Sequence, residues 1–424
     1  MSVRVTSEVG RLRTVLVHEP GLEVDRMVPS MMEELLFDDI LFGERARDEH
    51  RRFRRILELL GVEVLEAGDL LAETLEQERA REWVEGFVLP HLLPEFRARL
   101  SEMAPRELAG ALVTGIPRDG VASKADLDDL FGVRPLPNWC FQRDTQVVLR
   151  EGVVFASMAN FARHREALLS RAIFRFHPRF EEVEVLHDPA AEVRDRPPAP
   201  GEGRGSLEGG DVIVLSPEVV AVGLSERTNL QGVEELARAL ARMDDGPRWL
   251  LRVDLPRRRA YMHLDTLFTP VDRDVCLVHA PVILPGNEQS ATVREYDLAA
   301  PGSEPVERAD LLSALARRGI EYEPVPCGGA DPMIQQREQW TDGANGLALA
   351  PGIVVLYDRN QATAAALEDR GFRVLRADDL LLGREDLSLG EHARVCLLMP
   401  SNELSRARGG AHCLTHPLLR DDLT

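Results

Sequence analysis

Four segments of this chain repeat one order of residue types, and that order restricts the fold more than any other feature of the sequence. Each begins with a polar motif, runs through apolar strand formers, turns at Gly, Pro or Asp, and returns as a second apolar run. They cover 146–155 after Asp144, 212–221 after Asp211, 267–278 after Asp265 and 347–356 after Asn345. Apolar strand formers interrupted by turn residues predict a β-hairpin in each. Helical periodicity follows three of them, over 163–176, 229–243 and 361–370, the last stopping at Gly371. The unit is therefore roughly β-β-α and returns about every 50–80 residues. Radial repetition of such units leaves only short, protected strand edges. A ring built this way would carry the polar motif at the start of each unit toward a common axis. The strand 13–18 and the segment around Cys413 have no unit of their own, and pairing them would complete a fifth.

One stretch departs from this pattern. Over 70–130 the sequence is charged and helical in period, with helices expected over 73–85, 94–103 and 106–113, and Pro90, Pro94, Pro105 and Pro117 punctuate it. It is read as a helical bundle, 70–130, inserted into a single catalytic domain spanning 1–424. Residues 190–206, rich in Pro, Gly and Arg, are expected to form a mobile loop leading to Glu208. The first residues hold no apolar run of signal-peptide length, and no segment approaches the roughly 18–20 apolar residues of a membrane span. A cytoplasmic protein with no membrane contact is expected.

Five cysteines, widely spaced and with no C-x-x-C pair, suggest reduced thiols and give neither a disulfide framework nor a zinc site. A formal charge of −20 argues against nucleic acid as a partner and is compatible with a cationic small molecule, although an acidic surface accounts for it equally well.

The chemistry-bearing residues cluster in short motifs. Cys413 follows Gly409-Gly410, whose backbone freedom allows a ligand to approach the sulfur. Neighbouring Arg406, Arg408 and His412 are expected to favour the thiolate, which makes Cys413 the candidate nucleophile. Met262-His-Leu-Asp-Thr266 reads as a strand, which would place His263 and Asp265 on one face. An unpaired buried carboxylate is costly, so something cationic should sit against Asp265. Glu208, ahead of Gly209-Gly210, can approach a ligand or orient His263 as the third member of a triad does. Asp144 opens a strand, where Asp is disfavoured by propensity.

Taken together, Val17-His-Glu-Pro-Gly21, Leu136-Pro-Asn-Trp-Cys-Phe-Gln-Arg-Asp144, Leu207-Glu-Gly-Gly-Asp211, Ser225-Glu-Arg-Thr228, Met262-His-Leu-Asp-Thr266, Arg337-Glu-Gln-Trp-Thr-Asp-Gly-Ala-Asn345 and Arg408-Gly-Gly-Ala-His-Cys413 are similar, from end to end, to the arginine deiminase family of guanidine-modifying enzymes. The resemblance implies an α/β fold, a five-bladed, pseudo-symmetric ββαβ propeller with an inserted helical bundle. It implies hydrolysis of free L-arginine to L-citrulline and ammonia through a covalent amidino-thioether on Cys413. His263 would be the general acid/base, Glu208 its orienting partner, and Asp144 and Asp265 the guanidinium clamp. Asn138, Arg227 and Arg408 resemble positions that hold the amino-acid end of the substrate. Arg163 resembles another, with Arg165 a rival for that role. No metal or organic cofactor is implied, and homo-oligomers are. One alternative keeps the fold and acts on another guanidine, such as agmatine or methylarginine, by hydrolysis or amidino transfer; a second is a non-catalytic arginine-binding relative.

Overall fold

The computed structural model describes residues 2–118, 130–189, 204–390 and 393–423. All four predicted hairpins form: Gln146–Leu149 with Gly152–Phe155, Val212–Ser216 with Val219–Leu224, Phe268–Pro270 with Val275–Val278, and Leu347–Ala350 with Ile353–Tyr357. In each sheet the second hairpin strand also pairs in parallel with a third: Glu184–His187, Trp249–Asp254, Glu323–Pro326 or Val395–Met399. A helix lies between second and third strands, as a parallel connection requires. These helices are His164–Phe176, Leu230–Leu240, Leu311–Ala316 and Gln361–Glu368.

The two ends of the chain build a fifth sheet with the same order. Leu12–Val17 pairs antiparallel with His416–Arg420 and parallel with Glu63–Glu66, and the helix Gly43–Leu59 makes the crossover. Residue patterning gave two strands per unit and a helix after three of the four hairpins; it did not locate the third strand or the helices Leu311–Ala316 and Gly43–Leu59. Short, half-exposed segments such as Glu63-Val-Leu-Glu66 and Glu184-Val-Leu-His187 carry no sustained apolar run from which to recognise them.

Apolar side chains form clusters that lie between neighbouring sheets. Val15 and Val17 share one with Val355 and Leu397, Leu277 another with Val354, Phe268 another with Ala221, and Val214 another with Val148. The last cluster extends to Leu16 and Leu418 of the terminal sheet and to Leu71, Val84, Leu100 and Leu112 of the helical stretch.

In that stretch the helices are Ala67–Thr74, Glu78–Phe87, Pro94–Ser101 and Pro105–Thr114. A single helix over 73–85 is therefore replaced by two that meet near residue 75. Thr74 turns its hydroxyl back to Leu70 O at 2.7 Å, a local bond that competes with helix propagation. Pro94 and Pro105 each open a helix, where a missing N–H costs nothing. The part of the expected insertion at 119–129 and the part of the expected loop at 190–203 lie outside the described residues. Among the described residues no helix is long and apolar enough to cross a membrane.

Candidate active site

The polar motifs ahead of the hairpins and of His416–Arg420 meet at one place, and Ser225-Glu-Arg-Thr228 joins them from the end of Val219–Leu224. Glycine makes that convergence possible at two points. A Cβ on Gly210 would lie 2.6 Å from His263 Nδ1, and one on Gly410 would lie 2.6 Å from Asn345 O. Neither position has room for a side chain.

The stretch around His263 is not a strand. His263 is extended (φ −134°, ψ 160°), and Leu264–Thr266 then turns as a single 3-10 element. Asp211 accepts from Leu264 N at 3.0 Å and Thr266 Oγ1 donates to His263 O at 2.7 Å, so local bonds replace a ladder. His263 and Asp265 consequently face different partners. His263 Nε2 is 2.8 Å from Glu208 Oε2, and its Nδ1 is 3.7 Å from Asp144 Oδ1. Glu208 also accepts from Ala159 N at 3.0 Å, which fixes the carboxylate that orients the ring. Burial would push His263 down, but Asp144, the Glu208 bond and Asp211 raise it to about 9. Burial likewise would raise Glu208, but His263, Arg227 and Arg163 bring it down to about 2. The pair therefore rests as imidazolium and carboxylate at neutral pH.

Arg163 lies in the middle of this group. Its guanidinium is 2.8 Å from Asp144 Oδ2, 2.9 Å from Glu166 Oε2 and 3.7 Å from Glu208 Oε2. It thus sits at the carboxylates of the site. Arg165 instead donates to Arg134 O. Asp144, Glu208 and His263 offer ligand atoms within 4.8 Å of one another, a spacing that suits a cation, and Arg163 already ion-pairs with two of the three.

Cys413 packs on the other side. Its Sγ is 3.5 Å from Asp265 Oδ2, and its backbone N–H donates to Asn345 Oδ1 at 3.1 Å. The partner found against Asp265 is the ring of His412, whose Nδ1 is 2.9 Å from Asp265 Oδ2. The electropositive setting expected for the thiol is not found. Arg406 turns away to Asp39 and Glu403, and Arg408 lies over the Trp340 ring at 3.4 Å with Asp38 at 3.4 Å. Burial, then Asp265, Asp144 and Asp342, hold the Cys413 thiol well above its usual value. The resting nucleophile is a thiol among carboxylates.

Asp144 and Asp265 share a feature that patterning alone could not show. Each is buried, each has one oxygen engaged, and each keeps its Oδ1 buried without a hydrogen-bond partner. Asn138, Asp144, Arg163, Arg227, His263, Arg408 and Cys413 line one enclosed cavity of about 30 Å³. Asn138 donates to Leu35 O at 2.6 Å, and Arg227 contacts Met262 Sδ at 3.4 Å with its Nη1 unpartnered. Leu36 lies in the segment Glu34-Leu-Leu-Phe-Asp-Asp-Ile-Leu41, which shares the family resemblance but gave it no role; it lines the cavity with φ +65°. Glu8 was also missed: it is buried against His412 and Arg143, and an isolated acid in an N-terminal segment carries no pattern by which to find it.

A thiol, a carboxylate-oriented histidine and two half-paired buried acids in a mixed α/β fold define the class of guanidine-modifying, amidinotransferase-like enzymes. Solved structures agree at the level of the fold. An amidinotransferase of saxitoxin biosynthesis from Microseira wollei, SxtG, superposes with a TM-score of 0.56 at 16% identity, covering 99% of this chain and 98% of that one. The N-terminal domain of ArgZ, described as an arginine dihydrolase of the cyanobacterial ornithine-ammonia cycle, gives 0.52 at 14% identity, with 97% and 99% covered. The arginine deiminase family model matches residues 33–420. An arginine deiminase of Clostridium perfringens is 36% identical over 100% of this chain and 99% of its own length, and one of Staphylococcus haemolyticus is 33% identical over 99% of each. The chain belongs to the arginine deiminase family.

Proposed function

We propose that this enzyme hydrolyses free L-arginine to L-citrulline and ammonia. The observation that carries the reading is the orphaned Oδ1 on each of two buried acids at the nucleophile: Asp144 lines the cavity with Cys413, and Asp265 meets the Cys413 Sγ through its other oxygen, Oδ2, at 3.5 Å. Arginine's guanidinium stays protonated near neutral pH, has five donors in a planar fork and is a poor electrophile. Two buried carboxylates offset its desolvation and fix its plane.

The same charges that raise the Cys413 thiol are neutralised when the guanidinium arrives, so substrate binding itself favours loss of the thiol proton to solvent. The thiolate attacks the central carbon and a C–S bond forms. His263, protonated up to about pH 9, gives its proton to the departing ammonia as the C–N bond breaks. The now neutral ring takes a proton from water, the hydroxyl adds to the amidino carbon, and the C–S bond breaks with its electron pair on sulfur, which takes up the hydroxyl proton to restore the thiol as citrulline leaves. Glu208 holds the ring throughout, as the orienting member of a triad does. Asn138, Arg227 and Arg408, at the rim of the same cavity, take the amino-acid end; Arg163 acts through Asp144. Arg408 and Arg227 favour arginine over agmatine, which has no carboxylate for them to bind.

We read the five sheets as blades of one propeller domain spanning 1–424, with 70–130 inserted as a helical bundle. Support comes from the shared strand order and from cores that link each sheet to the next. The reading extends to a cytoplasmic homo-oligomer, tested by light scattering on the purified protein. Turnover decides the main claim: L-arginine should give citrulline and ammonia in equal amounts, with a mass adduct on Cys413 during turnover. Cys413→Ala should fold and lose at least about 10⁴ of kcat, because the nucleophile and its base act as one unit. Full activity in that variant, or faster turnover of agmatine or methylarginine, would refute the proposal.

A further inference from the structure

His412 is held by an acid at each ring nitrogen. Its Nδ1 is 2.9 Å from Asp265 Oδ2 and its Nε2 is 3.2 Å from Glu8 Oε2, with all three groups buried. A neutral imidazole has one N–H and one bare lone pair, and an ionised carboxylate only accepts. Both bonds form together when both nitrogens carry protons. Protonating Glu8 instead is opposed by its surroundings: Arg143 Nη1 lies 3.4 Å from Glu8 Oε1 and the buried Arg420 guanidinium is close by. His416 also faces the cluster, but its Nε2 accepts from Val148 N at 3.2 Å, which leaves it neutral.

We propose that Glu8 and His412 form a fixed carboxylate–imidazolium–carboxylate bridge that positions Asp265, engaging its Oδ2 and keeping it ionised so that Oδ1 is left for the substrate guanidinium. Glu8 and His412 are positioning residues, and their role rests on the arginine-deiminating reading above. Burial alone would raise the Asp265 carboxyl, and the His412 bond and charge, followed by His263 and Arg143, lower it. Without the imidazolium the acid is protonated at higher pH, and a protonated acid does not clamp a cation. The bridge also ties the N-terminal segment, ahead of the first strand, to the loop that carries the nucleophile.

The test is kcat/KM for L-arginine against pH in the full-length enzyme. His412→Asn keeps a donor without charge, and Glu8→Gln keeps shape without charge. His412→Asn should move the acid limb up by about one pH unit or more, a tenfold loss at the acid end beyond any loss at the optimum, carried mainly by KM. Glu8→Gln should move it the same way by less. A role confined to packing lowers the whole profile without moving its limb, and that result in both variants overturns the bridge. If a variant does not fold, nitrogen NMR of the labelled wild-type protein decides. His412 should carry two protons at about pH 8, where an isolated histidine is neutral; a single N–H overturns the bridge. Failure of the wild type to release citrulline tells against the reaction and leaves the NMR result to judge the bridge.

Discussion

Asp144 lies between two cations in turn, Arg163 at rest and the substrate in turnover, so its charge is the term on which clamping depends. Asp144→Asn should lower kcat/KM for arginine by about 10²–10⁴, because removing one partner of a buried charge pair costs about 3–5 kcal/mol; a loss under tenfold would show that Asp265 clamps alone. His263 carries a second prediction. Its folded value, about 9, exceeds the usual 6.5, so its contribution to stability is complete below 6.5 and is lost as pH rises through 9. His18 adds to the same slope: burial would lower it, but bonds to Glu23 and Glu66 raise it to about 10. Thermal midpoints should therefore fall from pH 6.5 to 9, and His263→Gln should reduce that fall; an unchanged slope would mean the ring is not charged at rest. Apart from Glu8, every residue proposed for the site could be named from its motif, because short polar motifs beside apolar strands are visible locally. The state of Cys413 could not, since its nearest charges come from Asp265, Asp144 and Asp342, distant in sequence.

At the scale of elements, hairpins and three of the crossover helices were legible because apolar period and turn residues are local signals, as at 146–155 and 361–368. The strand assigned to 262–266 was misread for the same reason. Alternation there is genuine, but Asp211 captures the Leu264 amide from 53 residues away. Caps decide helix ends with similar economy. Asn229 Oδ1 accepts from Gly232 N at 2.9 Å and from Ser206 N at 3.1 Å, joining the start of Leu230–Leu240 to the segment that leads to Glu208. Asn229→Ala should cost about 1–2 kcal/mol in denaturant unfolding, and no change would show that Ser206 and Gly232 find other acceptors.

Across the whole molecule, the ends of the chain close the architecture. His416–Arg420 pairs with Leu12–Val17, and Arg13 meets Asp421 at 2.6 Å outside that ladder. Deleting 416–424 should abolish cooperative unfolding, because the strand Leu12–Val17 then loses its antiparallel partner and bares Val15 and Leu16; a cooperative melt in the truncated chain would contradict this. The cavity of about 30 Å³ has room for little more than a water molecule. Arginine therefore needs part of the lining to shift, and Leu36 and Arg408 are the two lining residues in left-handed backbone conformations, which cost about 1–3 kcal/mol each. Hydrogen exchange over 32–38 and 404–410 should change on adding arginine to the Cys413→Ala protein, and unchanged exchange there would place the entry elsewhere. The sequence alone determined the hairpin units, three of their helices and the motif residues, because these follow from periodicity and chemistry within a few neighbours. Only the tertiary structure decided the rest: the third parallel strands, the thiol held among acids, and the wiring of Glu8 through His412 to Asp265. Each depends on charges and backbone groups brought together from separate parts of the chain, where folding and not local order sets the distance.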